Sequence, residues 1–162
     1  MSLNMKGIKE KSLVIVKPDG IQRGLIGEVI GRFEKKGLKI VGLKMMSLDE
    51  AILREHYAHH VAKPFFKGLA DFMQSSPVIV LCIEGLNVVN AVRLVCGVTK
   101  AYEADPGSIR GDLAMSTACN VVHASDSVEN AEKEIKRFFK DDDLFDYDKA
   151  EYMHVYAEDE RV

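Results

Sequence analysis

His123 stands in the window Asn120-Val-Val-His-Ala-Ser-Asp-Ser127, between a short apolar run and the acidic start of a predicted helix. Imidazole titrates nearest neutrality of all side chains, so it can offer an uncharged ring nitrogen as a nucleophile at physiological pH. Read alone, this window suits a hydrogen-bonded structural histidine better than a nucleophile. Lys17, Arg93 and Arg110 are cations that could grip phosphate oxygens, the guanidinium groups bidentately. Taken singly, each also suits an ordinary surface cation. Phosphate-binding glycine loops are missing: there is no G-x-x-x-x-G-K-[ST], and no G-x-G-x-x-G between a strand and a helix. Gly24, Gly27 and Gly31 are too widely spaced and fall within a helical period. Phosphates bound here would be held by side chains.

Two further clusters carry less. His56 and His60 stand at i, i+4 on a predicted helix, with His59 between them. That spacing can bind zinc, but no third ligand accompanies it, and a solvated helix end is the simpler reading. Cys82, Cys96 and Cys119 are odd in number and far apart, which suits a reducing compartment rather than a disulfide framework.

The elements that must position these residues follow from periodicity. Ser12 to Val16 is a short β-branched strand stopped by Lys17-Pro-Asp-Gly20. Ile26, Val29, Ile30 and Phe33 make one helical stripe, closed by Gly37. Leu38 to Met46 reads as a second strand, and Ser47 with Glu50 as a capping box opening a helix through Leu53 and Tyr57. A helix from Phe65 to Met73 precedes Pro77 to Ile83, a strand apolar on both faces and therefore central. Asn87 to Val95 is helical, and Ala101 to Gly111 is a loop around Pro106-Gly107. Cys119 to Val122 is a fourth strand. A last helix opens at an Asp126 cap with Glu129 at its third position, and buries Val128, Ala131, Ile135, Phe138 and Phe139.

This order predicts an α/β (α+β sandwich) fold of the ferredoxin-like split βαβ type. A four-stranded antiparallel sheet would carry its helices on one face. The 162 residues suit a single domain over 11–156, after a leader or disordered segment over 1–10 and before an acidic tail over 157–162. Asp141-Asp142-Asp143 is read as solvated. A net charge of −3 argues against general nucleic-acid binding. The apolar run Pro77 to Ile83 is far too short to span a bilayer, and the first eleven residues lack a signal peptide's apolar core. A cytoplasmic protein is expected.

Six segments, in order, resemble the nucleoside diphosphate kinase family: 16–27, 54–57, 64–69, 84–89, 106–112 and 120–129. The resemblance covers nearly the whole chain, from Lys11 to Tyr156. It implies a ping-pong reaction in which a nucleoside triphosphate such as ATP phosphorylates His123 and a nucleoside diphosphate then accepts the phosphoryl group. By motif match, Lys17, Tyr57, Arg93, Thr99, Arg110 and Asn120 would line phosphates and ribose, and Phe65 and Leu69 would contact the base. Glu134, with Ser125, would orient the His123 ring. Mg2+ would arrive on the nucleotide phosphates, and the assembly would be a homo-hexamer.

Three departures stand out. Ala124 replaces a usual glycine, Cys119 a usual arginine, and the loop from Lys100 to Asp105 lacks a usual proline. The last bears on subunit contacts. A ferredoxin-like RNA-binding module is the rival of another class, but Leu13 to Val16 and Val78 to Ile83 carry no aromatics for base stacking. An inactive relative would have lost His123 or a phosphate cation.

Overall fold

A computed structural model describes residues 9–161. Of the leader expected over 1–10, residues 1–8 lie outside the described residues, while Lys9 and Glu10 already belong to the first strand. The elements are β1 (Lys9–Val16), α1 (Pro18–Gln22), α2 (Ile26–Lys35), β2 (Lys39–Met46), α3 (Glu50–His56), α4 (Phe66–Gln74), β3 (Val78–Leu86), α5 (Val88–Cys96), α6 (Ile109–Leu113), β4 (Val122–Ala124), α7 (Val128–Phe138) and α8 (Tyr152–Val155). The four strands form one sheet in the order β2-β3-β1-β4, every neighbouring pair antiparallel. This is the ferredoxin-like arrangement the sequence predicts.

The helices do not keep to one face, and that expectation is corrected. Alternate residues of β1 feed two separate cores. Val14 and Val16 pack with Val29 and Phe33 of α2 and with Val88 and Val92 of α5. Leu13 and Ile15 pack with Leu53 of α3, Met73 of α4 and Ile135 of α7. A strand apolar on both sides requires cover on both sides. Both middle strands, β1 and β3, are of that kind.

Several local readings shift. Asp49, not Ser47, caps α3 by accepting from the Ile52 N–H at 2.8 Å. Ser127, not Asp126, caps α7; with the helix starting one residue later, Val128 is 43% exposed and leaves the buried stripe. The segment 101–111 is not a plain loop, since it holds a 3-10 turn and α6, whose cap is Ser108. The acidic run at 141–143 is engaged: Asp143 bonds Lys44 and the Lys140 N–H. Beyond it the chain returns along the sheet, with Phe145 N–H donating to Val41 O and Tyr147 hydroxyl to Ile40 O. Among the described residues no helix is long and apolar enough to cross a membrane.

Candidate active site

His123 lies within β4 rather than beyond a strand's end, paired with Ile15 of β1. Directly opposed residues of an antiparallel pair project to the same face, so its ring joins Ile15 on the side covered by α3, α4 and α7. Its Nε2 stands 3.1 Å from Oε1 of Glu134 on α7. A carboxylate oxygen only accepts, so Nε2 carries the proton and Nδ1 keeps its lone pair in the neutral ring. No protein group bonds Nδ1 among the described residues.

Glu134 is itself fixed. The buried Ser125 hydroxyl donates to its Oε2 and accepts from the Leu13 N–H of the central strand. Burial pushes the Glu134 carboxyl up, but the hydrogen bonds from His123 and Ser125 and the neighbouring imidazoles outweigh it and hold the group below its ordinary value. It stays ionised while clamped.

His56 contradicts the solvated reading. It ends α3 with its side chain wholly buried, its ring edge-to-face with that of His123 at 4.6 Å between centroids. The Arg137 guanidinium donates to its Nδ1 at 3.3 Å, so its own proton sits on Nε2, which has no partner among the described residues. Burial first, then the neighbouring His123 and Arg137, depress its pKa to about 3. Potential ligand atoms of His56, His123 and Glu134 lie within 4.8 Å of one another; a guanidinium beside one of them opposes a metal ion there. His59 and His60 leave the helix on a 3-10 turn, so the expected i, i+4 pairing with His56 is broken.

In front of His123 opens a cleft of about 730 Å³. Lys17, the first residue after β1, is 6% exposed, its Nζ donating to Asn120 Oδ1 at 2.8 Å and to Ala118 O. Burial lowers its pKa to about 8, with Arg110 adding to the effect and Asp19 and Cys119 opposing it. Arg110, on α6, is equally buried and donates to Gly97 O and Val122 O, both at 2.6 Å. Asn120 donates its amide to Thr99 O. Arg93 and Thr99 are exposed at the rim. Tyr57 closes the base of the cleft, and burial holds its phenol well above the ordinary range. Phe65, 55% exposed, and Leu69 on α4 form the outer wall. The lining contains four aromatic or imidazole rings besides His123, three cations and no carboxylate. A second cavity, about 420 Å³, lies at the other end of the sheet and contains neither histidine nor arginine.

Every nucleotide-contact residue named from sequence lines this one cleft, and Glu134 with Ser125 stands behind His123. Sequence reasoning missed His56, Arg137 and His60, which joins the lining beside Phe65. The inward placement of His56 was available from its i+3 spacing to Leu53; nothing local marks Arg137.

A family model described as nucleoside diphosphate kinase matches residues 10–144. A nucleoside diphosphate kinase of Parabacteroides distasonis is 55% identical over 151 residues, covering 93% of this chain and 99% of its own. The solved enzyme of Halobacterium salinarum in complex with CDP superimposes with a TM-score of 0.89 at 46% identity, over 92% of this chain and 99% of that one. A transition-state mimic of the Borrelia burgdorferi enzyme, with vanadate and ADP, gives 0.83 at 37% identity over 88% and 94%. Identity this high, sustained over almost the full length of each partner, leaves one conclusion: the chain belongs to the nucleoside diphosphate kinase family.

Proposed function

We propose that this cleft moves the terminal phosphoryl group of a nucleoside triphosphate to a nucleoside diphosphate by way of a phosphohistidine on His123. One observation carries the assignment: Glu134 holds His123 by Nε2–H and leaves Nδ1 free beside a cleft lined by three cations. In the first half-reaction the Nδ1 lone pair forms a bond to the γ-phosphorus while the bond to the bridging oxygen breaks. The nucleoside diphosphate leaves with that electron pair. The ring becomes a phosphorylated imidazolium that keeps its Nε2 proton, and the Glu134 carboxylate balances the charge. The second half-reaction is the same step reversed with another diphosphate, so no proton need leave the ring.

Lys17 and Arg110 supply charge along the transferring group, and Arg93 adds a third cation at the rim. Phe65 offers a ring face that any base can stack on, with Leu69 beside it on the same wall. The cleft has no carboxylate ligand for a metal, so Mg2+ is taken as part of the nucleotide substrate. Exposed Leu94, Val98, Tyr102 and Met115 support burial against further copies of the chain, an assembly that the family resemblance makes a homo-hexamer. The buried thiols Cys82 and Cys96 sit in opposite cores and cannot pair, which suits a reducing cytoplasm.

Incubation with γ-labelled ATP should give an acid-labile, base-stable phosphoprotein that delivers its label to several different nucleoside diphosphates. His123→Ala should abolish the labelling; label retained on that variant would refute the assignment.

A further inference from the structure

Val121, immediately between the cleft residue Asn120 and the strand that holds His123, has φ of +70° and is fully buried. A β-branched residue pays for the left-handed region, and such strain persists only where the surroundings over-determine it. Here the Lys17-Pro-Asp-Gly20 turn does so from three directions. The Lys17 N–H donates to Val121 O at 2.8 Å. The Val121 N–H donates to Oδ2 of Asp19 at 2.9 Å. Gly20 is needed for the close approach, because a Cβ there would meet Val121 Cγ1 and O at 3.2 Å and Val16 Cγ1 at 2.8 Å.

The neighbours of Val121 are the cleft's own parts. On one side, the Asn120 side chain holds the Lys17 ammonium and reaches Thr99. On the other, Val122 O receives the Arg110 guanidinium, and His123 follows. Rotating Val121 into an ordinary conformation would turn these groups away from one another. Among the described residues the Asp19 carboxylate makes no other hydrogen bond: its second oxygen, Oδ1, is buried without a partner. A buried carboxylate oxygen left without a partner is costly unless something else is gained.

We propose that Asp19 is a positioning residue for phosphoryl transfer, holding Val121 in its left-handed conformation so that Lys17, Asn120, Arg110 and His123 converge on the nucleotide phosphates. This rests on the phosphohistidine reading above. Asp19 also adds negative charge near Lys17, whose other charged or titratable neighbours are Arg110 and Cys119. Asparagine at this position can still accept from Val121 but carries no charge.

Kinetics of Asp19→Asn, Asp19→Ala, Val121→Gly and the double variant Asp19→Ala/Val121→Gly test the proposal, each with a thermal melt. Asp19→Ala should lower kcat/KM by about tenfold to a hundredfold, mainly in kcat, as loss of a charge-assisted hydrogen bond predicts. Asp19→Asn should lose less rate, but its alkaline limb should move to lower pH. Glycine adopts positive φ without strain, so Asp19→Ala should cost less stability in the Val121→Gly background than alone. A lower melting temperature with kcat and the pH profile unchanged would make Asp19 a merely structural residue and overturn the proposal. Should Asp19→Ala not fold, Asp19→Asn decides by its pH profile: an unmoved limb overturns it. Failure of the underlying site reading is separate, since the unsubstituted protein would then form no phosphohistidine.

Discussion

Replacing His56 should make the protein less sensitive to acid, and the size of the change can be worked out. Its pKa is depressed from 6.5 to about 3 in the fold. Below pH 6.5 the unfolded chain takes up a proton that the folded one refuses, so stability falls as pH falls from 6.5 towards 3. For one such group the loss between pH 7.5 and pH 5 is about 2 kcal/mol, at 1.36 kcal/mol per pH unit of unmatched titration. His56→Asn keeps an acceptor for the Arg137 guanidinium and has no titrating ring. Cavity formation gives the variant a constant penalty, so it should be the less stable protein at pH 7.5. That deficit should shrink by about 2 kcal/mol at pH 5. Urea unfolding of both proteins at matched pH values, at one protein concentration, reads the difference directly. Glu134, which is coupled to His56, is held below its ordinary value and so titrates mostly below pH 5; carboxylates remote from His56 are common to both proteins and cancel. A stability gap constant from pH 7.5 to 5 would show that His56 protonates freely in the fold, and the neutral buried ring behind His123 would be wrong.

Lys17 should set an alkaline limb in kcat/KM near pH 8, because above that value the free enzyme loses a cleft cation. Lys17→Arg should carry the limb beyond pH 10, and a limb that stays put would assign it to another group. The same depressed pKa means that the burial penalty of this ammonium is relieved as pH rises from 8 to 10.5, so its share of stability should increase there. Glu134→Gln should slow phosphohistidine formation by about tenfold to a hundredfold, since the carboxylate no longer balances the imidazolium; single-turnover labelling at an unchanged rate would remove Glu134 from the mechanism.

How far the sequence carries depends on the length of each element. β3 announces itself by six apolar residues in a row, Val78 to Ile83, and its two buried faces already demand helices on both sides of the sheet. The one-face expectation failed to apply that consequence. Arg110 was read in a loop because α6 is five residues long, too short for any period to register. Its cap, Ser108, was the available sign. The histidine cluster misled through an assumed continuous helix. α3 stops at His56, which turns inward beneath Leu53, while His59 and His60 go their own way. Val121 could not have been found at all. Positive φ is foreseeable at glycine or asparagine, not at valine, and it is held here by tertiary contacts with Lys17, Asp19 and Gly20.

The manner in which the cations are held bears on why a chain with net charge −3 can bind polyphosphate. Lys17 is anchored by Ala118 O and an amide oxygen, Arg110 by two backbone carbonyls. Among the described residues neither forms an ion pair. Neutral dipoles fix the direction of a cation without cancelling its charge, whereas a carboxylate would both bind it and compete with phosphate. The cost is visible in Lys17, whose ammonium is destabilised by burial. Phosphate oxygens repay that cost on binding. Their field favours the protonated amine, so the alkaline limb in kcat should lie above that in kcat/KM. Glu134, the carboxylate nearest the reaction, already accepts from His123 and Ser125 and is kept behind the imidazole, out of the cleft. The cleft lining itself thus carries no acid, Glu134 faces the nitrogen that does not react, and the approach to Nδ1 stays electropositive. A carboxylate introduced into the cleft by Asn120→Asp would reverse this arrangement. It would neutralise Lys17 at 2.8 Å and should raise KM for nucleotide far more than the isosteric change disturbs folding. Unchanged KM in that variant would mean that Lys17 does not meet phosphate.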